Sequence, residues 1–250
     1  MKSKGLAVGK AFLWCLVMLL FPTLSGTLSV VLSLTAVEML FLQGAFMLLA
    51  LIPPAAFVLR GRWRWEDIGF APFNFEGCKQ ALYFLPILVI FVPAALKGFH
   101  AGPLGYVLGN LFLYLWVGVS EELYFRGVIP QYLKKEFSAR AVVLLSTLIF
   151  GVGHIAAALA GMNAFEIALT VFNALIFGWL AMEMTLISAN IIPTILVHFF
   201  FDFETKIVAM GGESLLAAEG FRGMLMFAAA GWLTMIRYRQ AQTAGHRQEG

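Results

Sequence analysis

Charge is scarce in this 250-residue chain: Asp, Glu, Lys and Arg make up 12% of it, where soluble domains carry about 25%. Hydrophobic residues supply 61%, and the mean hydropathy is +0.87. A soluble domain of this size could not cover its core with so little polar surface, so the chain reads as an integral membrane protein. No polar stretch is long enough to form a large soluble ectodomain. Cysteine is nearly absent, with only Cys15 and Cys78, both in or beside apolar runs, which leaves no disulfide framework. There is no H-E-x-x-H zinc signature, no internal repeat and no low-complexity tract. A β-barrel is excluded as well. Its strands would alternate apolar and polar residues, whereas 141–152 (AVVLLSTLIFGV) is apolar all round. The net charge of +3 comes from loop lysines and arginines, and no basic run interleaved with stacking aromatics points to nucleic acid.

What is present is a succession of long apolar segments, at about 11–33, 36–58, 78–96, 104–125, 141–160, 164–183, 186–203 and 217–236. A span needs about 20 apolar residues, so the chain reads as an all-α, polytopic bundle of about eight transmembrane helices. It forms a single integral membrane domain over 1–250. The first segment resembles a signal peptide at its start, but it runs on too long and no A-x-A-like site closes it, so it reads as a retained helix.

With the N-terminus placed in the cytoplasm, fourteen basic residues fall inside and only Lys97, Lys206 and Arg222 outside. That bias places both termini in the cytoplasm, in a cell inner membrane. The arginines and tryptophans of RGRWRWEDIGF (60–70) read as an interfacial anchor.

Ionisable groups within spans cost about 2.5–3.5 kcal/mol each on insertion scales and are functional candidates by default. Three clusters qualify: Glu121, Glu122 and Arg126 in the fourth segment, Phe150 and His154 in the fifth, and His198 and Asp202 in the seventh. Glu122 and Arg126 stand four apart and can pair on one helix face, while Glu121 lies about 100° round and need not share the arginine. His198 and Asp202 have the same spacing, so the carboxylate can orient the imidazole or join it at one site. Counted from Lys134, Arg140 and Leu186, the residues Glu121, His154 and His198 each lie roughly 20 Å into their helices, at about 1.5 Å per residue. Pro130 is the one residue that could break the first of these runs.

Taken singly, each cluster has a simpler reading. Glu122–Arg126 is a structural ion pair, His154 a helix-bridging hydrogen bond, and His198–Asp202 a proton relay. Tyr124, Phe125, Phe150 and Phe199–Phe201 read as packing residues, and Glu38, Glu166 and Glu183 as interfacial ones. Three polar clusters at a common depth on three helices are harder to explain that way.

E-E-x-x-x-R, then F-x-x-x-H, then H-x-x-x-[ND], in this order on successive late helices, resembles the CPBP family, also called Abi: CAAX prenyl proteases and bacteriocin-processing or immunity enzymes. Glu121, Glu122 and Arg126 match the first motif, Phe150 and His154 the second, His198 and Asp202 the third. The resemblance covers a protease core at 80–204. It implies an eight-helix intramembrane endopeptidase whose cavity opens to the cytoplasm. Glu121, helped by His154, would activate water against a peptide bond. His198 and residue 202 would hold the oxyanion, and Glu122 with Arg126 would support Glu121. The substrate would be a peptide or membrane protein, possibly lipidated, with the bilayer as the other partner.

Asp202 departs from the Asn of the prenyl-protein proteases. It donates to an oxyanion only when protonated, and otherwise orients His198. No cofactor is expected, although Glu121, His154, His198 and Asp202 also have the chemistry of a catalytic zinc set. A non-proteolytic immunity or binding protein and a proton-coupled transporter are the alternatives from other functional classes.

Overall fold

A computed structural model describes residues 2–72, 80, 82–99, 102–156, 162–208 and 213–246. Cys78, Lys79, His100 and Arg247 lie outside them. Among the described residues there are helices and two isolated bridges, Phe70 with Asn190 and Phe99 with Val208, but no strand.

The first two segments form α1 (Lys2–Val31), then α2 (Ala36–Leu49) and α3 (Ile52–Leu59), with Pro53 and Pro54 at the start of α3. A capping box opens α2: Thr35 accepts from the Glu38 amide while Glu38 accepts from the Thr35 amide, satisfying two otherwise orphaned donors. The fourth segment runs further than expected, as α4 (Leu104–Glu122), a π-helical turn (Leu123–Val128) and α5 (Ile129–Leu133). Pro130 does not end it. The wide turn just before accommodates a residue that has no N–H and whose ring would crowd the carbonyl of Arg126.

After α5 come α6 (Ala139–Gly153), α7 (Ala164–Ser188), α8 (Ile192–Ile207) and α9 (Glu213–His246). A second capping box, Asn163 with Glu166, opens α7. In the bundle α2 and α8 pack on α4, α6 and α9 pack on α7, and α1 packs on α2 and α5.

Among the described residues, five helical segments are long and apolar enough to cross a membrane: Lys2–Val31, Ala36–Leu59, Leu104–Leu133, Ala139–Ala156 and Ala164–Ser188. The expected third segment is a ten-residue 3-10 stretch, Leu82–Phe91, followed by a single α-turn, Val92–Ala95, with Pro86 and Pro93 interrupting the α pattern. The seventh starts at Ile192 rather than 186. Ala189 adopts a left-handed conformation (φ 51°) that stops α7, and the Asn190 side chain accepts from the Ile192 amide to start α8. His198 is therefore six residues into its helix, about 9 Å rather than 20 Å.

At the bundle end that carries the basic loops, hydrogen bonds hold the 66–71 segment in place. Gly69 (φ 97°) accepts from the Ile191 amide, Asn190 donates to Ala71, and Gln131 donates to Asp67. At Gly127 a Cβ would lie 2.5 Å from the Ile68 carbonyl oxygen, so only glycine lets the 66–70 segment seat against the π turn. Trp14, Phe57, Trp63 and Tyr132 form an aromatic cluster at this end, and Lys10 lies 5.8 Å from the Tyr132 ring centre. Leucines, valines and phenylalanines cover the outer faces, among them Leu13, Leu20, Leu24, Leu148 and Phe200. Such a surface suits lipid.

Glu183, five residues before the end of α7, is 1% exposed, bound by Arg237 (Nε–Oε2 2.5 Å) and by the Thr234 hydroxyl (3.0 Å), and it ties α7 to α9. Buried Arg222 likewise joins Glu204 (2.7 Å), Glu219 (2.8 Å) and the Phe201 carbonyl (3.0 Å), so these charges are internal links between α8 and α9.

Candidate active site

The site forms where α4, α6, α7 and α8 meet. At Gly118, one turn before Glu122, an added Cβ would lie 3.2 Å from the Ile195 carbonyl and 3.3 Å from the Phe199 amide. That close backbone approach carries His198 to the acidic pair. His198 Nδ1 donates to Glu122 Oε1 at 2.7 Å, and the same oxygen is 3.1 Å from Arg126 Nη1. Glu122 and Arg126 are both buried.

The expected Glu122–Arg126 pair is therefore present. The Glu122–His198 bond, across 76 positions, has no counterpart in the sequence reading. The arginine is also clasped by rings: its guanidinium carbon is 4.2 Å from the Phe150 centre and 5.5 Å from that of Phe177. Those faces compensate a cation whose nitrogens make no well-aligned hydrogen bond.

Glu121 stands apart from this pair. Its Oε2 is buried, has no hydrogen-bond partner, and lies 3.9 Å from His198 Nε2. Asp202 Oδ2 is 3.4 Å from the same nitrogen. The imidazole of His198 is thus fixed at one side by Glu122 and presents its other nitrogen to Asp202 and Glu121.

His154 closes α6, and its Nδ1 donates to the Phe150 carbonyl at 2.9 Å. Its ring sits 4.6 Å from Phe150, and His198 sits 4.7 Å from Phe177. Phe150 and Phe177 therefore hold both imidazoles and the arginine at once. Phe177 was invisible beforehand, because one phenylalanine among 24 in an apolar run carries no distinguishing signal.

A cavity of about 430 Å³ reaches these groups, with His154, His198, Asp202, Phe150 and Phe177 in its wall. Its other lining residues include Glu166, Lys206 and Glu219, which lie at the start of α7, the end of α8 and the start of α9. These helix ends are opposite the basic loops. A second cavity, of about 640 Å³, lies at the basic end and is lined by residues that include Lys10, Trp14, Arg62, Trp63, Tyr132 and Lys135.

Among the described residues no group of three or more His, Cys, Asp or Glu side chains is placed to hold a metal ion.

Buried ion pairing, two imidazoles and a carboxylate oxygen without a hydrogen-bond partner thus gather beside one cavity of a helical bundle. Residues 7–203 match the family described as type II CAAX prenyl endopeptidase, Rce1-like. The match spans most of the chain, and the chain belongs to this family of membrane-embedded CAAX endopeptidases. Neither the curated proteins nor the solved structures include a match to it.

Proposed function

We propose that the protein is a glutamate-dependent intramembrane endopeptidase, and that the two adjacent glutamates divide the work. Glu122 is held by Arg126 and His198 and serves as the positioning group. Glu121, whose Oε2 has no partner, is the base. The observation that carries this reading is that free, buried oxygen 3.9 Å from His198 Nε2.

In the proposed reaction Glu121 takes a proton from a water molecule while the water oxygen attacks the peptide carbonyl carbon. His154, in the cavity wall, helps orient that water. When His198 Nε2 carries a proton, it faces the oxyanion of the tetrahedral intermediate. Collapse breaks the C–N bond as Glu121 returns its proton to the leaving amine. The 3.4 Å contact of Asp202 with Nε2 favours its role as the group that orients His198. No metal takes part in this scheme. Both termini lie in the cytoplasm, and about eight segments lie within the membrane.

The test is cleavage of a quenched peptide library, prenylated and unmodified, by wild type and Glu121→Gln. General-base loss predicts a fall of about 10²–10⁴-fold with unchanged thermal unfolding in detergent. A folded Glu121→Gln protein with wild-type activity refutes the assignment. A non-proteolytic immunity role would instead leave the cellular phenotype intact in the Glu121→Gln/His154→Ala protein.

A further inference from the structure

The cavity of about 640 Å³ at the basic end shares no lining residue with the catalytic one. It lies between α1, α3, the turn after α3 and the end of α5. Its size falls in the range of about 300–1,000 Å³ usual for small-molecule sites. Three cations line it, Lys10, Arg62 and Lys135, and among the described residues no carboxylate does. Like charges gathered around one cavity repel each other, and an anion placed among them relieves that repulsion.

The lining also has a polarity gradient. On α1, Val17, Leu13 and Lys10 stand on one face, so it passes from apolar to cationic over about 10 Å, at about 1.5 Å per residue. Pro53 and Phe57 of α3 lead in the same sense to Arg62, and Tyr132 of α5 leads to Lys135. Arg62 is fixed by the way α3 ends. Gly61 (φ 69°) donates to the Val58 carbonyl and the Arg62 amide to that of Phe57, both at 2.9 Å. This is the reciprocal pair of a Schellman cap, and it folds the chain back so that Trp63 stacks on Phe57 with ring centres 5.0 Å apart. The Tyr132 hydroxyl accepts from Trp14 Nε1 at 3.2 Å, and its own proton has no acceptor among the described residues.

We infer that this cavity is a binding site for an anionic glycerophospholipid. The phosphate lies among Lys10, Arg62 and Lys135 with the Tyr132 hydroxyl as a neutral donor, and an acyl chain runs past Leu13 toward Val17 and Pro53. Basic pockets between membrane helices recognise anionic headgroups in this way, and Trp63 and Tyr132 are of the residue types that settle at headgroup level. A free phosphate would use the cationic end and leave the apolar end in water. A zwitterionic lipid would bring no net charge to offset the three cations. Only an anionic amphiphile matches both ends. The bound lipid touches α1, α3 and α5 at once, so occupancy stabilises the fold by mass action. None of this depends on the endopeptidase reading.

The test uses the purified full chain in a non-ionic detergent, titrated with dioleoyl phosphatidylglycerol while thermal unfolding and native mass spectra are recorded. The unfolding midpoint should rise and saturate with one lipid bound per chain. Dioleoyl phosphatidylcholine and inorganic phosphate at the same concentrations should produce no such rise. Arg62→Gln/Lys135→Gln should weaken phosphatidylglycerol binding by about 10–30-fold, from the loss of two basic contacts. Arg60→Gln/Lys134→Gln removes the same charge from neighbouring positions that do not line the cavity, and should leave the affinity unchanged. All four side chains are exposed, so neither double variant threatens folding.

Equal weakening in the two double variants overturns the inference, because general surface charge then accounts for the binding. Equal binding of phosphatidylcholine overturns it too, since the headgroup charge is then not recognised. A rise produced by inorganic phosphate alone, as large as that produced by the lipid, makes the cavity a free-anion site and refutes the role of the acyl chain. A midpoint that phosphatidylglycerol does not move, or moves without saturation, also refutes the site.

Discussion

Replacing Glu122 with glutamine removes one charge and almost no volume, and so isolates the ionic role of a residue with no exposed surface. Glutamine keeps an acceptor for His198 Nδ1 but leaves Arg126, itself 3% exposed, without its counter-charge. At the 3.1 Å separation of Nη1 and Oε1, the lost attraction is about 5 kcal/mol for an effective dielectric constant of about 20. Mutational experience with one-sided removal of buried pairs gives about 3–5 kcal/mol. We therefore expect Glu122→Gln to lose about 3–5 kcal/mol of unfolding free energy in detergent, and Arg126→Met a similar amount. The double variant should recover most of this, because removing both charges leaves no orphan, and the cycle should give a coupling of at least about 2 kcal/mol. Unfolding followed by tryptophan fluorescence, with each variant measured in parallel, supplies the four corners. If the single losses add to within about 0.5 kcal/mol, the pair is not coupled and the account of Arg126 as a cation held by Glu122 is wrong.

Gly127→Ala places a methyl 2.5 Å from the Ile68 carbonyl oxygen, and the forced shift should cost about 1–3 kcal/mol, read as a lower midpoint of thermal unfolding. In the 60–70 loop, the Arg64 amide donates to Asp67 and holds that carboxyl below its ordinary value. Its contribution is thus present above the unfolded-state pKa of about 4 and is lost as pH falls through the depressed folded value. Asp67→Asn should accordingly weaken the loop at neutral pH and remove that acid transition, as monitored by emission from Trp63 and Trp65. Treatment with a strong chelator followed by desalting should leave cleavage unchanged. Loss of activity restored by added zinc would replace the glutamate mechanism with a metal-dependent one.

The chemistry of the site was legible because ionisable residues are conspicuous in an apolar chain. Glu122 with Arg126 at a four-residue spacing, and His198 with Asp202 at the same spacing, needed only helical geometry to be paired. The Glu122–His198 bond was not legible, since nothing local records that Gly118 lets α8 approach α4. Segment boundaries failed where hydropathy and backbone chemistry disagree. Leu186 and Ile187 are as apolar as Ile192, yet Ala189 and Asn190 divide them between two helices. At 82–95 the apolar run is uninterrupted in composition, but Pro86 and Pro93 break its helical hydrogen bonding. Glu183 shows the same limit for charge: its distance from the segment end suggested an interfacial role, and only the approach of Arg237 from α9 makes its burial intelligible.

The π-helical turn between Glu122 and Ile129 holds one residue more than an α-helix of the same rotation would need. Six residues wound at about 4.4 per turn sweep nearly the angle of five wound at about 3.6, so α5 leaves the turn facing as it would without the extra residue. Deleting one residue from 123–128 would therefore leave α5 nearly in place and concentrate the damage inside the turn. Arg126 and Gly127 would be re-aimed there, away from Glu122 and from the Ile68 carbonyl.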